Sequence, residues 1–248
     1  MATRFHIGAH SRQAGAAALP SRFEAYAKRF DFLEVPTGGA SPPAPATMRK
    51  WRKAVPPHFD FSVVAGPNLG KVKASAALER ELELATAAID ALQARCFLLS
   101  TPPDVTPSAL WRDRLAKLVD RLPRDATSFA WEPHGLWEIE DAAMLAKKLG
   151  IVLVVDAARD PVPPGLVAYV RLQAIGETRS FGISALERVV VAVGARRDAY
   201  VVFDTPEALK EAKLLRQVVQ AGPTRDKGGM GRLVRPRGIM KVRDDEQE

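Results

Sequence analysis

IVLVVDAARDPVPPGLVAYVRLQ, residues 151–173, holds two apolar runs set close together. IVLVVDA (151–157) and GLVAYVRLQ (165–173) are rich in Val, Ile and Leu and too short for free-standing helices, so they read as strands. Their apolarity is continuous rather than alternating, which suits strands covered on both faces, as in a parallel sheet. Between Asp156 and Gly165 lie eight residues, among them Pro161, Pro163 and Pro164. A crossover helix needs about a dozen residues or more. The spacing therefore leaves two readings: a loop replaces the crossover helix, or the two runs are one strand too many in the count.

Six more runs of this kind flank the pair: RFHIGAH (4–10), FDFLEVP (30–36), FDFSVVAG (59–66), ARCFLLSTP (94–102), TSFAWEP (127–133) and DAYVVFDTP (198–206). Helical periodicity falls between them. Residues 75–94 repeat Leu78, Leu82, Ala85, Ile89 and Leu92 behind Ser75 as N-cap. Residues 108–122 carry Trp111, Leu115, Leu118 and Leu122, and 137–149 end on Lys147-Lys148-Leu149 before Gly150. Residues 206–219 open on Pro206 and repeat Leu209, Ala212, Leu215 and Val219. Weaker patterns cover 20–29, 46–54 and 184–194. Strand–helix alternation to eight strands predicts an α/β fold, a (β/α)8 TIM-like barrel with an irregular or missing helix between strands six and seven. A doubly wound open sheet is the alternative.

The chain has 248 residues, 47% hydrophobic and 26% charged, which is globular composition and excludes a disordered or collagen-like chain. Its one cysteine, Cys96, excludes an internal disulfide and a multi-cysteine zinc site. No apolar run approaches the roughly 20 residues of a membrane span, and the N-terminus lacks a signal-peptide core, so a cytoplasmic protein is expected. The net charge is +7. From Arg225 to Arg243 seven basic residues face one acid, Asp226. Residues 1–221 are read as the barrel domain, and 222–248 as a basic, Gly/Arg-rich, flexible tail able to touch nucleic acid non-specifically or simply to stay solvated. KGGMGR (227–232) lacks the strand–loop–helix setting and the Lys-Ser/Thr of a P-loop, and no nucleotide-cofactor motif is present.

A barrel places its chemistry at the carboxyl ends of its strands. The polar residues there are His10, Glu34, Ser100, Glu132, His134, Asp156, Arg171, Gln173 and Asp204. Glu34, Glu132 and Asp156 are the candidate catalytic carboxylates, suited to acid–base work or to a divalent metal. Arg171, His10, His134 and Asp204 are candidates for substrate binding, Arg171 as a clamp for a carboxylate or phosphate. Each also has a structural reading: a Glu34–Arg171 salt bridge, a turn cap at Asp156, a helix cap at Asp204. His6, Cys96 and the four tryptophans read as packing groups, and His58 as a solvated loop residue.

In order along residues 1–221, these motifs resemble those of the uncharacterised bacterial YecE-like family, the domain of unknown function seventy-two. The residues are Gly8, FDFLEVP with Glu34, then Trp51, Pro57 and FDFSVVA, then FLLSTPP, WEPHGLW, IVLVVDA, AYVRLQ and YVVFD. The resemblance implies a TIM barrel and keeps Glu34, Glu132, Asp156 and Arg171. It departs from the family pattern at Pro36 for an Asn, Val64 for a Lys, Gln173 for a His and Asp204-Thr205 for an Asn pair. The family supplies no established reaction.

Two functions are expected from these residues. One is a hydrolase- or lyase-like barrel enzyme on a small anionic or phosphorylated substrate. The other is an eroded barrel serving as a binding or accessory module whose tail contacts nucleic acid or an acidic partner. The tail has no Phe, Tyr or Trp, which argues against base stacking. A membrane partner is not expected, and the oligomeric state is not encoded in any motif found.

Overall fold

A computed structural model of the chain describes residues 3–11, 19–38, 42–122, 128–173 and 180–222. Strands Arg4–His10 (β1), Phe32–Pro36 (β2), Asp60–Val64 (β3), Cys96–Thr101 (β4), Ser128–Pro133 (β5), Val152–Val155 (β6), Val167–Gln173 (β7) and Asp198–Asp204 (β8) close in sequence order into one barrel. All pairings are parallel, and β8 returns to β1 with Asp198 opposite Arg4. Each strand lies inside one of the eight apolar runs. The basic tail beyond Gly222 lies outside the described residues.

The helices are Leu19–Ala27 (α1), Pro45–Ala54 (α2), Pro67–Gly70 (α3), Ala76–Leu92 (α4), Ala109–Asp120 (α5), Ile139–Leu149 (α6), Ile183–Val193 (α7) and Ala208–Ala221 (α8). As expected, β6 passes to β7 without a helix. Ser75 caps α4 by accepting from the Leu78 N–H at 3.1 Å, and Gly150 ends α6 with a φ of 67°. The last helix opens at Ala208, two residues beyond Pro206. The Thr205 hydroxyl is tied to Glu211, and Ala208 N–H donates to the Thr205 carbonyl at 3.2 Å, so this stretch is spent on a turn. No described helix is long and apolar enough to cross a membrane.

Side chains alternate inward and outward along each strand. One parity faces the helices, where Phe23, Trp51, Phe59 and Phe61 pack as one aromatic cluster. The other parity fills the barrel axis with Phe32, Cys96, Leu98, Ala130, Val154, Tyr169, Tyr200 and Val202. Gly8 belongs to this interior. A Cβ there would lie 1.9 Å from the Phe32 carbonyl oxygen, which also accepts from the Tyr26 hydroxyl at 2.7 Å. Below the apolar layers, His6 sits between Asp60 (3.3 Å) and Asp198 (3.2 Å), with Tyr200 stacked on its ring. The carboxyl end of the barrel carries the remaining inward positions.

Candidate active site

Continuing the inward parity upward gives Glu34 two residues after Phe32, Glu132 after Ala130, Arg171 after Tyr169 and Asp204 after Val202. The fold thereby brings together residues up to 137 positions apart. Arg171 is their centre. Its Nη1 donates to Glu132 Oε2 at 2.7 Å, and its Nη2 to Glu34 Oε2 at 3.3 Å and Asp204 Oδ2 at 3.2 Å. The expectation that Arg171 clamps a substrate anion meets a buried guanidinium already shared among three carboxylates of its own chain. The structural reading of a Glu34–Arg171 pair is what the geometry contains.

Glu34 is 0% exposed and takes the Tyr169 hydroxyl on Oε1 at 2.7 Å. Burial pushes its carboxyl above the usual range, and the Arg171 charge and the Tyr169 hydroxyl pull against that rise without reversing it. Closed off from the cavities, Glu34 acts on a substrate only through its neighbours. Glu132 has the opposite balance. Burial would raise it, but His134, Arg171 and the Ser100 hydroxyl outweigh that and bring it to about 2. Ser100 Oγ donates to Glu132 Oε2 at 2.5 Å, and Gln173 Nε2 to Oε1 at 3.1 Å. Glu132 is therefore a fixed anion.

His134 is the exposed member of the group. Its side chain is 45% exposed, and Nε2 stands 3.7 Å from Glu132 Oε2, an ion-pair rather than a hydrogen-bond distance. The Glu132 carboxylate raises the imidazole's pKa. His134 borders two cavities. One, of about 380 Å³, runs toward Asp156, Arg159 and Gln173 and also reaches Glu132 and Arg171. The other, of about 530 Å³, runs toward His10, Lys71 and Ser100. Asp156 accepts from Ala158 N–H at 3.0 Å and pairs with Arg159 at 3.4 Å, so it caps its turn while lining the first cavity. Burial raises its pKa. Asp204 faces Arg171 rather than capping α8, and His10 is buried on the wall of the second cavity.

Glu34, Glu132 and Asp204 converge as metal-binding carboxylates would, but the Arg171 guanidinium fills the point they share. Among the described residues no group of three or more His, Cys, Asp or Glu side chains is arranged to hold a metal ion. Sequence reasoning missed Tyr169 and Lys71. Tyr169 could have been found, because it sits two residues before Arg171 on the same strand face. Lys71 follows the four-residue α3 and carries no periodic signal.

The family model described as "Protein of unknown function DUF72" matches residues 13–229. No curated protein matches the sequence. Among solved structures, a DUF72 family protein from Enterococcus faecalis is similar, with a TM-score of 0.68, 14% identity and coverage of 87% of this chain and 95% of that one. A DUF72 family protein from Thermotoga maritima is similar at TM-score 0.67 and 18% identity, over 89% of this chain and 100% of that one. An L-ribulose 3-epimerase shares the barrel at TM-score 0.55 and 14% identity, over 89% and 94%. At these identities the likeness is one of fold.

Proposed function

The chain belongs to the DUF72 family of proteins of unknown function, and from that premise we propose that its barrel mouth is an acid–base active site for a small anionic molecule, of hydrolase or lyase type. The observation that carries this reading is the Glu132–His134 pair beside Glu34. Two carboxylates in one buried cluster are driven apart, Glu34 up and Glu132 down to about 2, the signature of a site built for proton handling. Glu132 favours the charged form of His134, and His134 opens on both cavities, where it can protonate a leaving oxygen or a carbonyl. Asp156, raised by burial and lining the smaller cavity, is the candidate base. Glu34, Tyr169, Arg171 and Asp204 form the rigid frame that fixes Glu132. Enzymes sharing this barrel, L-ribulose 3-epimerase among them, carry out sugar chemistry, which makes sugar acids and sugar phosphates the first compounds to test. A screen of phosphoesters and sugar acids with the full chain, repeated with His134→Gln, tests the reading. Turnover lost in the variant supports it; turnover equal in both refutes it.

One observation favours a second reading. The Arg171 frame is closed on itself, as in a barrel kept for its shape. In that case the protein is a binding module and its basic tail makes the contacts. Binding to an acidic polymer would then fall steeply with salt and vanish on truncation after Ala221.

A further inference from the structure

The mouth is divided by charge. The smaller cavity is lined by Glu132, Glu138, Asp156 and Asp160 against Arg159 and Arg171, with His134 at its edge. The larger cavity has His10, Lys71 and His134 on its wall and no carboxylate among its described lining residues. Its other walls include Pro36, Pro67, Pro102 and Pro103. Prolines carry no backbone N–H, so these walls offer a bound group little competing donation and keep the lobe apolar between its charges. Of the hydroxyls nearby, Ser100 donates to Glu132, and Thr101 Oγ1 accepts from Trp131 Nε1 at 3.0 Å. The basic side chains on the wall of the lobe are the two imidazoles and the exposed ammonium of Lys71.

We infer that this lobe, bounded by His10, Lys71 and His134, is the subsite for the anionic group of the substrate, an oxyanion of phosphate size. The inference rests on the acid–base reading of the mouth and assigns the anion to a different place from Arg171. Two negative groups stand next to the lobe without lining it. Glu132 faces His134 from the other cavity. Glu81 lies against Gly66, and its carboxylate is held by the N–H groups of Asn68 (2.7 Å) and Leu69 (2.8 Å) and by the Asn68 amide (2.7 Å). Both carboxylates are held by donors of the protein. A substrate lying across His134 would put its anion among the basic groups and its reacting oxygen toward the carboxylate side. The favoured substrate class is then a small hydroxylated molecule with a terminal phosphate or carboxylate.

The test is a calorimetric titration of the full chain with inorganic phosphate at low ionic strength, with chloride at matched ionic strength as the blank. Saturable binding is expected. Lys71→Ala, at an exposed position that the core does not need, is expected to weaken it tenfold or more. Absence of saturable phosphate binding, or equal affinity in Lys71→Ala, overturns the inference. The acid–base reading fails on a different result: turnover of an anionic substrate that survives His134→Gln while phosphate affinity still depends on Lys71. A phosphate-ended and a carboxylate-ended substrate, compared in the same titration, decide which oxyanion the lobe was shaped for.

Discussion

Tyr169 and Glu34 meet across the barrel axis, the phenol hydroxyl donating to Glu34 Oε1 at 2.7 Å from 135 residues away in sequence. A wholly buried carboxylate is costly unless its lone pairs are met. Here the phenol meets one oxygen and Arg171 the other. The phenol's own burial pushes its pKa well above the usual value, so it stays a donor at any ordinary pH. This contact couples the apolar layer of the barrel to the charged layer above it.

Removing that hydroxyl keeps the ring and its packing. Tyr169→Phe is expected to cost about 1–3 kcal/mol, the cost of a buried acceptor left short of a donor. Arg171→Met should cost more, about 3–5 kcal/mol, because it leaves Glu34 and Glu132 buried without their cation. Urea unfolding of the three proteins measures both differences. An Arg171→Met variant as stable as Tyr169→Phe would mean that the guanidinium does not hold the frame together.

The two glutamates bend the stability curve in opposite senses. Glu132 is held at about 2 against an ordinary value of 4.5, so its contribution is complete above pH 4.5 and is lost as the pH falls toward 2. Glu34 is raised, so its ionisation costs stability as the pH climbs above 4.5. Glu132→Gln should therefore flatten the loss of stability on acidification, by up to about 1.4 kcal/mol per pH unit below 4.5. Glu34→Gln should flatten the limb above 4.5 instead. Melting temperatures from pH 3 to 8 for the three proteins check both. Parallel curves would show that neither group titrates differently in the folded chain.

The barrel was legible because each strand is a short continuous apolar run and each helix but the single-turn α3 keeps its own stripe. The prolines between Asp156 and Gly165 left no room for a helix, and none forms. The site was half legible. His10, Glu34, Glu132, Asp156, Arg171 and Asp204 could be read as strand-end polar residues, and parity places them inward. Which of them pair could not be read. Arg171 meets Glu132, Glu34 and Asp204 across 39, 137 and 33 residues, and only barrel closure sets those meetings. Lys71 was hidden for a different reason. It lies just after a single helical turn, too short for periodicity to show, and reaches the mouth only because α3 folds against β4.

Closure itself depends on one position without a side chain. At Gly8 an added methyl would lie 1.9 Å from the Phe32 carbonyl oxygen and 3.0 Å from the Tyr26 hydroxyl. The obstacle includes backbone, so it cannot swing away as a flexible side chain would. The same Tyr26 hydroxyl accepts from Ala9 N–H at 3.1 Å, which fixes β1 against α1. Gly8→Ala should separate β1 from β2 and remove most of the cooperative unfolding transition. Tyr26→Phe, which loses only the hydroxyl, should leave the transition intact and lower it by about 1–3 kcal/mol. Circular dichroism melts distinguish the two. A cooperative Gly8→Ala melt near the wild-type temperature would show that the strands can part without cost.

His134 separates function from stability most cleanly. It stands at the surface end of the frame, half exposed, with Glu132 as its charged neighbour and no part in the core. His134→Gln should change the melting temperature by little, since exposed ion pairs contribute about 0–1 kcal/mol. On an anionic substrate that the wild type turns over, the same variant should lose about a hundredfold or more in kcat, the usual scale of a lost acid–base group. Glu132→Gln should act through His134: the imidazole, without the carboxylate that raises its pKa, should titrate at a lower pH, and the acid-dependent limb of the rate profile should move down with it. NMR titration of the imidazole in both proteins gives that shift independently of turnover. An unmoved imidazole would show that Glu132 serves the Arg171 frame alone.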